Sequence, residues 1–302
     1  IDVMHVYVSV LVELEKKNEL FVCAHRLAEE IPGHAVAYYA IGAYYFLIKN
    51  FGKARRFFRK ATTIDDSFAP AWIGFGHSFA VQDESEQAMA SYRTAARALN
   101  GSHLPQFNIA RQYLLMYNFP LAKTFLSACL KSTQTDPLVW NEFGVFSFRQ
   151  KRFSLAIDAF RKAISLIQHA SVTANDERQS CVRPVPTQYE SIFFNLGHAF
   201  RELSHYKHAL SAYEQGLHLQ PKASTYTAIG FTLQLMSNYD RAIESYHASL
   251  SLSPGDAMTT KLLETAMVNF FRIDHTLHHS SGSGGETSLK AATSIETQLS
   301  SK

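Results

Sequence analysis

Apolar and polar positions recur along this chain with one long step. Gly42, Gly76, Ala110 and Gly144 follow one another at intervals of 34 residues. Aromatic Tyr38, Trp72 and Trp140 stand four residues before their small residue, and Ala54, Ala88, Ala122 and Ala156 stand twelve after it. Phe58, Tyr92, Leu126 and Phe160 come four later, then Ala61, Ala95, Cys129 and Ala163 three later again. The pattern predicts two antiparallel helices per unit, A and B. The small residue and the first Ala fall where the two helices cross, and a larger side chain there would push them apart. The aromatics fill the grooves beside the crossing, and the last Ala admits the next unit's helix A.

The register extends both ways. It gives units near residues 1–34, 35–68, 69–102, 103–136, 137–168, 190–222 and 223–256. In the first, Pro32 stops helix B, although Val8 replaces the small residue. Gly197 with Ala209, Tyr213 and Pro221, and Gly230 with Ala242, Tyr246 and Pro254, head the last two. Residues 257–274 carry Leu262, Leu263, Ala266, Met267, Phe270 and Phe271 as one amphipathic stripe, which predicts a helix capping the stack. The step from Gly144 to Gly197 is 53, so a polar insert with Pro184 and Pro186 is expected as a surface loop at 169–189, after an extended helix B. Residues 276–302 are Ser- and Gly-rich without periodic apolar positions, and a disordered tail is expected. Four matches in one register resemble the tetratricopeptide-repeat family. That resemblance implies an all-α superhelical solenoid whose helices A line a concave, peptide-binding side.

Composition narrows the function classes. A net charge of +3 is too mild to argue for nucleic acid. The densest cations, Lys53, Arg55, Arg56, Arg59 and Lys60, recur at helical spacing and read as a solvated helix face, or as a contact for an acidic partner segment. Cys23, Cys129 and Cys181 have no short spacing and are odd in number, which favours neither a disulfide framework nor a zinc site and fits a reducing compartment. No apolar run is long enough to predict a membrane span. The chain starts at Ile1 already in helical pattern, which reads as a piece of a longer protein. No P-loop, GxSxG, HExxH or paired Cys-x-x-Cys pattern occurs. His275, His278 and His279 stand beside the Ser/Gly tail without a Cys or carboxylate cluster and read as solvated. Asp65, Asp66, Asp83, Glu84 and Glu86 fall at a helix end and in a turn, where capping explains them. Neither catalysis, nor a metal, nor a cofactor is expected.

The useful positions are those that helix A turns to the groove: its second, fifth, ninth and twelfth. They give Tyr39 and Phe46, then Ile73 and His77, then Leu104, Phe107 and Arg111. The later units give Asn141, Val145 and Phe148, then Phe194, His198 and Arg201, and last Thr227, Phe231 and Gln234. Such a face, apolar with a few hydrogen-bonding groups, suits an extended or helical peptide with apolar anchors. Repeat domains that clamp acidic C-termini use Lys at the fifth position and Asn at the ninth. No unit here has that pair.

Three stretches go beyond the repeat pattern: residues 70–105 with GHSFAV and the SHLP turn, 194–217 with NLGH, and 223–250. Together they resemble the cell-division-cycle-sixteen (APC six) family of subunits of the anaphase-promoting complex, over residues 1–272. The resemblance implies a non-catalytic scaffold in a multi-subunit ubiquitin ligase of the cell cycle, in nucleus and cytoplasm, associated with other subunits of that complex. It also implies homodimers through N-terminal repeats. A small accessory subunit would place its N-terminal segment, beginning with an acetylated Met, in the groove. An uncharged N-terminus suits apolar and amide groups such as Tyr113, Asn141 and Asn195. The other readings are a repeat adaptor for some different peptide tail, and the repeat region of an enzyme such as a glycosyltransferase.

Overall fold

In several units helix B lays an aromatic ring over a residue of helix A that has no side chain to meet it. A Cβ on Gly42 would lie 2.8 Å from the Phe58 ring, one on Gly76 2.4 Å from Tyr92, and one on Gly144 2.4 Å from Phe160. Those aromatics are buried, and so are Ala54, Ala88, Ala122 and Ala156 beside them. Where the small residue is Ala110, the partner sixteen residues on shrinks to Leu126. In the first unit the sizes invert: bulky Val8 stands sixteen residues before Ala24, and both are buried. Summed volume at the crossing is thus held roughly steady, as close packing requires.

The computed structural model describes residues 3–99, 101–173 and 186–280. They form an all-α tetratricopeptide-repeat solenoid of fifteen α-helices, with no strand among the described residues. The chain divides after His205 into two units. In the first, the A/B pairs are α1 (Met4–Glu13) and α2 (Lys17–Glu30), α3 (Ala35–Leu47) and α4 (Phe51–Ile64), α5 (Ala69–Ala80) and α6 (Ser85–Ala98), α7 (Leu104–Leu115) and α8 (Phe119–Ser132), α9 (Pro137–Arg149) and α10 (Phe153–Thr173). A 3₁₀ turn at Thr187–Tyr189 leads into α11 (Glu190–Glu202). The second unit holds α12 (Tyr206–Leu219), α13 (Ala223–Leu235), α14 (Tyr239–Leu252) and α15 (Ala257–Ser280). No described helix is long and apolar enough to cross a membrane.

The turns inside the units repeat as faithfully as the helices. Glu15, Lys49, Asp83, Tyr117, Lys151, Ser204 and Ser237 each have φ between 52° and 62°. The left-handed residue lets two amides reach back to the end of helix A; Asn50 N–H donates to Tyr45 C=O and Lys49 N–H to Phe46 C=O, both at 2.9 Å. None of the seven is Gly, so this device leaves no mark in the sequence. Asn50, Asn118 and Asn238 then cap the following helix with their side-chain oxygens. Trp72 and Trp140 donate their indole N–H to the turn six residues back, at Asp66 and Gln134, both at 2.9 Å.

Three boundaries differ from the sequence reading. α10 does not stop at 168 but continues to Thr173, because Ile167 is still buried and no Gly or Pro intervenes before Pro184. Of the inserted loop at 169–189, then, the first five residues are helical, the last three are the 3₁₀ turn, and 174–185 lie outside the described residues. α15 likewise runs past 274 to Ser280, since the first Gly is Gly282. The tail beyond it, and the side chains of His275, His278 and His279, lie outside those described. Along α15 only Leu263 and Ala266 of the apolar stripe are buried, while Met267 and Phe271 are 38% and 55% exposed.

The crossing makes a direct prediction. Gly144→Ala is expected to cost about 1–3 kcal/mol in urea unfolding, because its Cβ must displace a buried ring. Gly255→Ala, with nothing within 4 Å of its Cβ, is expected to stay within about 0.5 kcal/mol of wild type. Equal midpoints for the two variants would show that the crossing relaxes freely.

Candidate functional site

Four helices A of the first unit, α1, α3, α5 and α7, open onto one cavity of about 490 Å³. Tyr39, Phe46, Ile73, His77 and Leu104 line it, as the positional rule predicts. His5, Ser9 and Val12 line it too. They occupy the fifth, ninth and twelfth positions of the first unit, so the same rule could have found them. Asn108 was missed because it sits at a sixth position; it is buried, and its amide donates to Leu104 C=O.

His77 is the polar centre of this cavity. Its Nδ1 shares a hydrogen bond of 2.9 Å with the Tyr92 hydroxyl, and the two rings meet edge to face. Burial lowers the imidazole to about 4, and Arg111 adds to the effect, so the ring is neutral at physiological pH. Tyr39 is pushed up to about 12 by burial, with a smaller contribution from Glu13. The walls are therefore apolar or neutral, with the exposed Glu13 as their carboxylate.

A second cleft of about 570 Å³ lies at α9, α10 and α11. It joins Val145, Phe148, Asn195, His198 and Arg201 of the expected set with Arg149 and Lys151. The Phe194 ring stands edge-on to His198, centroids 4.4 Å apart. Burial lowers His198 to about 4, and Arg201 lowers it further. Asn195 donates its amide to the Asn141 carbonyl oxygen at 3.1 Å, so these two side chains address one another first. Arg201 pairs with Glu202 at 3.2 Å.

Between the two lies a charged belt built on Phe107 and Arg111 of the expected set, with Glu142 as the partner that the sequence did not reveal. Phe107 is buried under the Arg111 guanidinium, 6.0 Å from the ring centre. Arg111 Nε is 3.4 Å from Glu142. Burial raises the Glu142 carboxyl above its ordinary range, and Arg111 and Arg149 oppose that rise.

Two expected site residues are turned to other work. Tyr113 is buried, stacks on Phe125 at 5.6 Å and accepts a 2.9 Å hydrogen bond from Arg93; it lines neither cavity. Thr227 belongs to the second unit. Its hydroxyl lies 2.8 Å from both Ser249 and Thr259 and bonds the Ala223 carbonyl, which ties α13 to α14 and α15. In that unit Gln234 likewise accepts from the Tyr246 hydroxyl at 2.8 Å. A hydroxyl or amide at a groove position does not announce whether a neighbouring helix will claim it.

One cluster has the plan of a catalytic triad and the chemistry of a strut. His103 bridges Asp136 at 2.9 Å and Thr133 at 3.0 Å. Asp136 also caps α9, and Thr133 is the C-cap of α8. The imidazole therefore fastens the turn before α7 to the turn after α8. Asp65 similarly closes its own turn by accepting from Ser67, and Glu84 pairs with Arg55 at 2.8 Å. Among the described residues no three His, Cys, Asp or Glu side chains converge as a metal site.

Comparison with known proteins gives the chain its relatives. The tetratricopeptide-repeat family model matches residues 35–68, 190–222 and 223–256. The chain is 38% identical over 265 residues to anaphase-promoting complex subunit 6 of Arabidopsis thaliana, covering 87% of this chain and 46% of that protein. It is 39% identical over 228 residues to the cell division cycle protein 16 homolog of Homo sapiens, covering 75% and 35%. Among solved structures, the crystal structure of the APC/C hetero-tetramer Cut9–Hcn1 matches with a TM-score of 0.77 at 36% identity, over 88% of this chain and 49% of that one. The chain spans less than half the length of the curated relatives it matches.

The neutral histidines predict a pH response. Their folded values lie below the ordinary imidazole value of 6.5, so their stabilisation is complete above it and is lost as pH falls toward about 4. The loss is expected to be on the order of 1–3 kcal/mol. Urea midpoints at neutral and mildly acidic pH test it. The His77→Gln/His198→Gln variant is expected to lose less stability on acidification than wild type, and an equal loss would count against buried neutral imidazoles.

Proposed function

Over its repeat array the chain belongs to the family of anaphase-promoting complex subunit 6 and cell division cycle protein 16, and from that premise we propose that it is a scaffold segment of such a subunit. In this reading it performs no chemistry. It holds other subunits of a multi-subunit ubiquitin ligase in nucleus and cytoplasm, and the longer protein self-associates. Its groove takes the N-terminal segment of a small accessory subunit; the hetero-tetramer of Cut9 with Hcn1 supports the coarser part of this, association with a partner.

One observation carries the ligand's chemistry: the cavity of α1, α3, α5 and α7 has no Lys or Arg in its walls and holds His77 neutral. An ammonium entering it would lose its hydration with only the exposed Glu13 as a counter-charge. An acetylated N-terminus has no charge to desolvate and can use the amide and hydroxyl groups around it. An apolar first side chain such as Met fits the space beside Tyr39, Phe46 and Ile73. The second cleft, with Arg149, Lys151 and Arg201, would receive a more polar part of the same segment.

Isothermal titration with a short helical peptide starting in acetylated Met tests this reading. Measurable heat and a raised melting temperature are expected, with at least about tenfold weaker binding for the free-amine peptide, a difference of about 1.4 kcal/mol. Ile73→Arg is expected to remove binding, whereas Tyr113→Phe leaves it intact. Equal affinity for the acetylated and free peptides would overturn the assignment, as would an Ile73→Arg protein that still binds.

A further inference from the structure

α4 carries more like charge than any other described helix B; α8 also lacks an acid but holds only two Lys. Its sequence FGKARRFFRKATTI holds five cations and no acid. By contrast, α2, α6 and α14 mix both signs. Like charges three or four residues apart destabilise a helix. Lys53–Arg56, Arg55–Arg59, Arg56–Arg59 and Arg56–Lys60 are four such pairs on α4. Contact with water alone is served equally well by mixed signs, so the uniform sign needs another explanation.

Most of these charges are left uncompensated. Arg55 turns aside to Glu84 and lies over the Phe79 ring. Lys53, Arg56, Arg59 and Lys60 are exposed, and none is ion-paired among the described residues. Three of them, at positions i, i+3 and i+7, share one stripe: Lys53, Arg56 and Lys60.

The stripe is also held in place. Phe57 stacks on Tyr45, with centroids 5.4 Å apart and planes at 6°, and on Tyr38 at 6.5 Å and 20°. The Lys53 ammonium sits 5.3 Å from the Tyr45 ring centre, and the Lys60 ammonium 5.3 Å from that of Tyr38. A cation over a ring face is attracted by the ring quadrupole and loses part of its rotamer freedom. Residues 53 and 60, which carry these ammoniums, stand about 10 Å apart along the helix axis, two turns at 1.5 Å per residue, with Arg56 between them. Part of the ordering that a long side chain would otherwise undergo on binding is already made.

We propose that this face of α4, Lys53, Arg56 and Lys60 backed by the Tyr38–Phe57–Tyr45 stack, docks an acidic helical segment of another polypeptide. Carboxylates at i, i+3 or i+4, and i+7 of a partner helix reproduce the spacing of the stripe. A phosphate backbone fits less well, because nucleic-acid affinity draws on many cations over a wide surface, and here the excess is confined to one helix of a chain whose net charge is +3. A membrane surface fits less well too, since the rings beneath the stripe are stacked on one another and offer no exposed apolar wedge.

The test uses the full chain and a fluorescein-labelled helical peptide with Glu at every third or fourth position on an alanine background. Its Gln-for-Glu counterpart, a single-stranded oligonucleotide and phosphatidylserine vesicles serve as the other arms. Fluorescence anisotropy is expected to show binding of the Glu peptide that weakens with salt and is absent for the Gln peptide. The Lys53→Gln/Arg56→Gln/Lys60→Gln protein is expected to bind at least tenfold more weakly. A Lys123→Gln/Lys131→Gln/Lys162→Gln control removes as much charge from exposed positions elsewhere and is expected to bind within twofold of wild type. Gln keeps helix propensity, and unchanged far-UV circular dichroism and melting temperature establish that each variant folds. An equal loss in both triple variants would overturn the proposal, as would no loss in the first, no binding of the Glu peptide, or tighter binding of the oligonucleotide or the vesicles.

Discussion

The architecture depends on aromatic rings laid on missing side chains. Phe58, Tyr92, Phe160 and Tyr246 each cover a glycine of their own helix A so closely that a single methyl would collide with the ring. Phe58 also faces Gly74 of the following unit at 2.8 Å, so one ring sets both the pair and its stacking on the next. Because dispersion falls off within a fraction of an ångström of contact, this fit selects one crossing distance and repeats it. Regular stacking follows, and within the first unit successive helices A are presented in the same attitude to the same side.

That regularity is what lines up one face of the first unit. Side chains at equivalent positions of successive units are brought into line, so a cavity is assembled from four helices that are far apart in sequence. Its chemistry is set by burial more than by charge. His77 and His198 are kept neutral because desolvation disfavours their cations. The outside of the first unit follows the opposite rule. On α4 the Lys53 and Lys60 side chains stay exposed to water and lie over aromatic faces. One solenoid thus offers a neutral lining on one set of helices and an ordered cationic stripe on another.

Much of this was legible in the sequence because the decisive contacts are local. The partner of each small residue stands sixteen positions later, within one helical hairpin, so a single linear period reports it. The inversion at Val8 and Ala24, and the shrinking of the ring to Leu126 opposite Ala110, obey the same period. Lining residues such as Tyr39, Ile73 and His77 followed from position within helix A, since direction on a helix is fixed by residue number. The left-handed turn residues did not, because hydrogen bonds back to helix A hold Lys49 or Ser237 in a conformation that their side chains do not advertise.

By itself the sequence determined the period, the pairing of helices, the family and most of the positions that look into the groove. Only the tertiary structure decided which of those positions remain available. Thr227 is claimed by Ser249 and Thr259, Tyr113 by Arg93 and Phe125, and Asn141 by Asn195. It also brought Asn108 into the lining of the first cavity, set Glu142 beside Arg111, and carried α10 to Thr173. The reason is physical. A residue's direction is a property of its own helix, whereas the partner of a polar group is whatever a neighbouring helix places within about 3 Å of it.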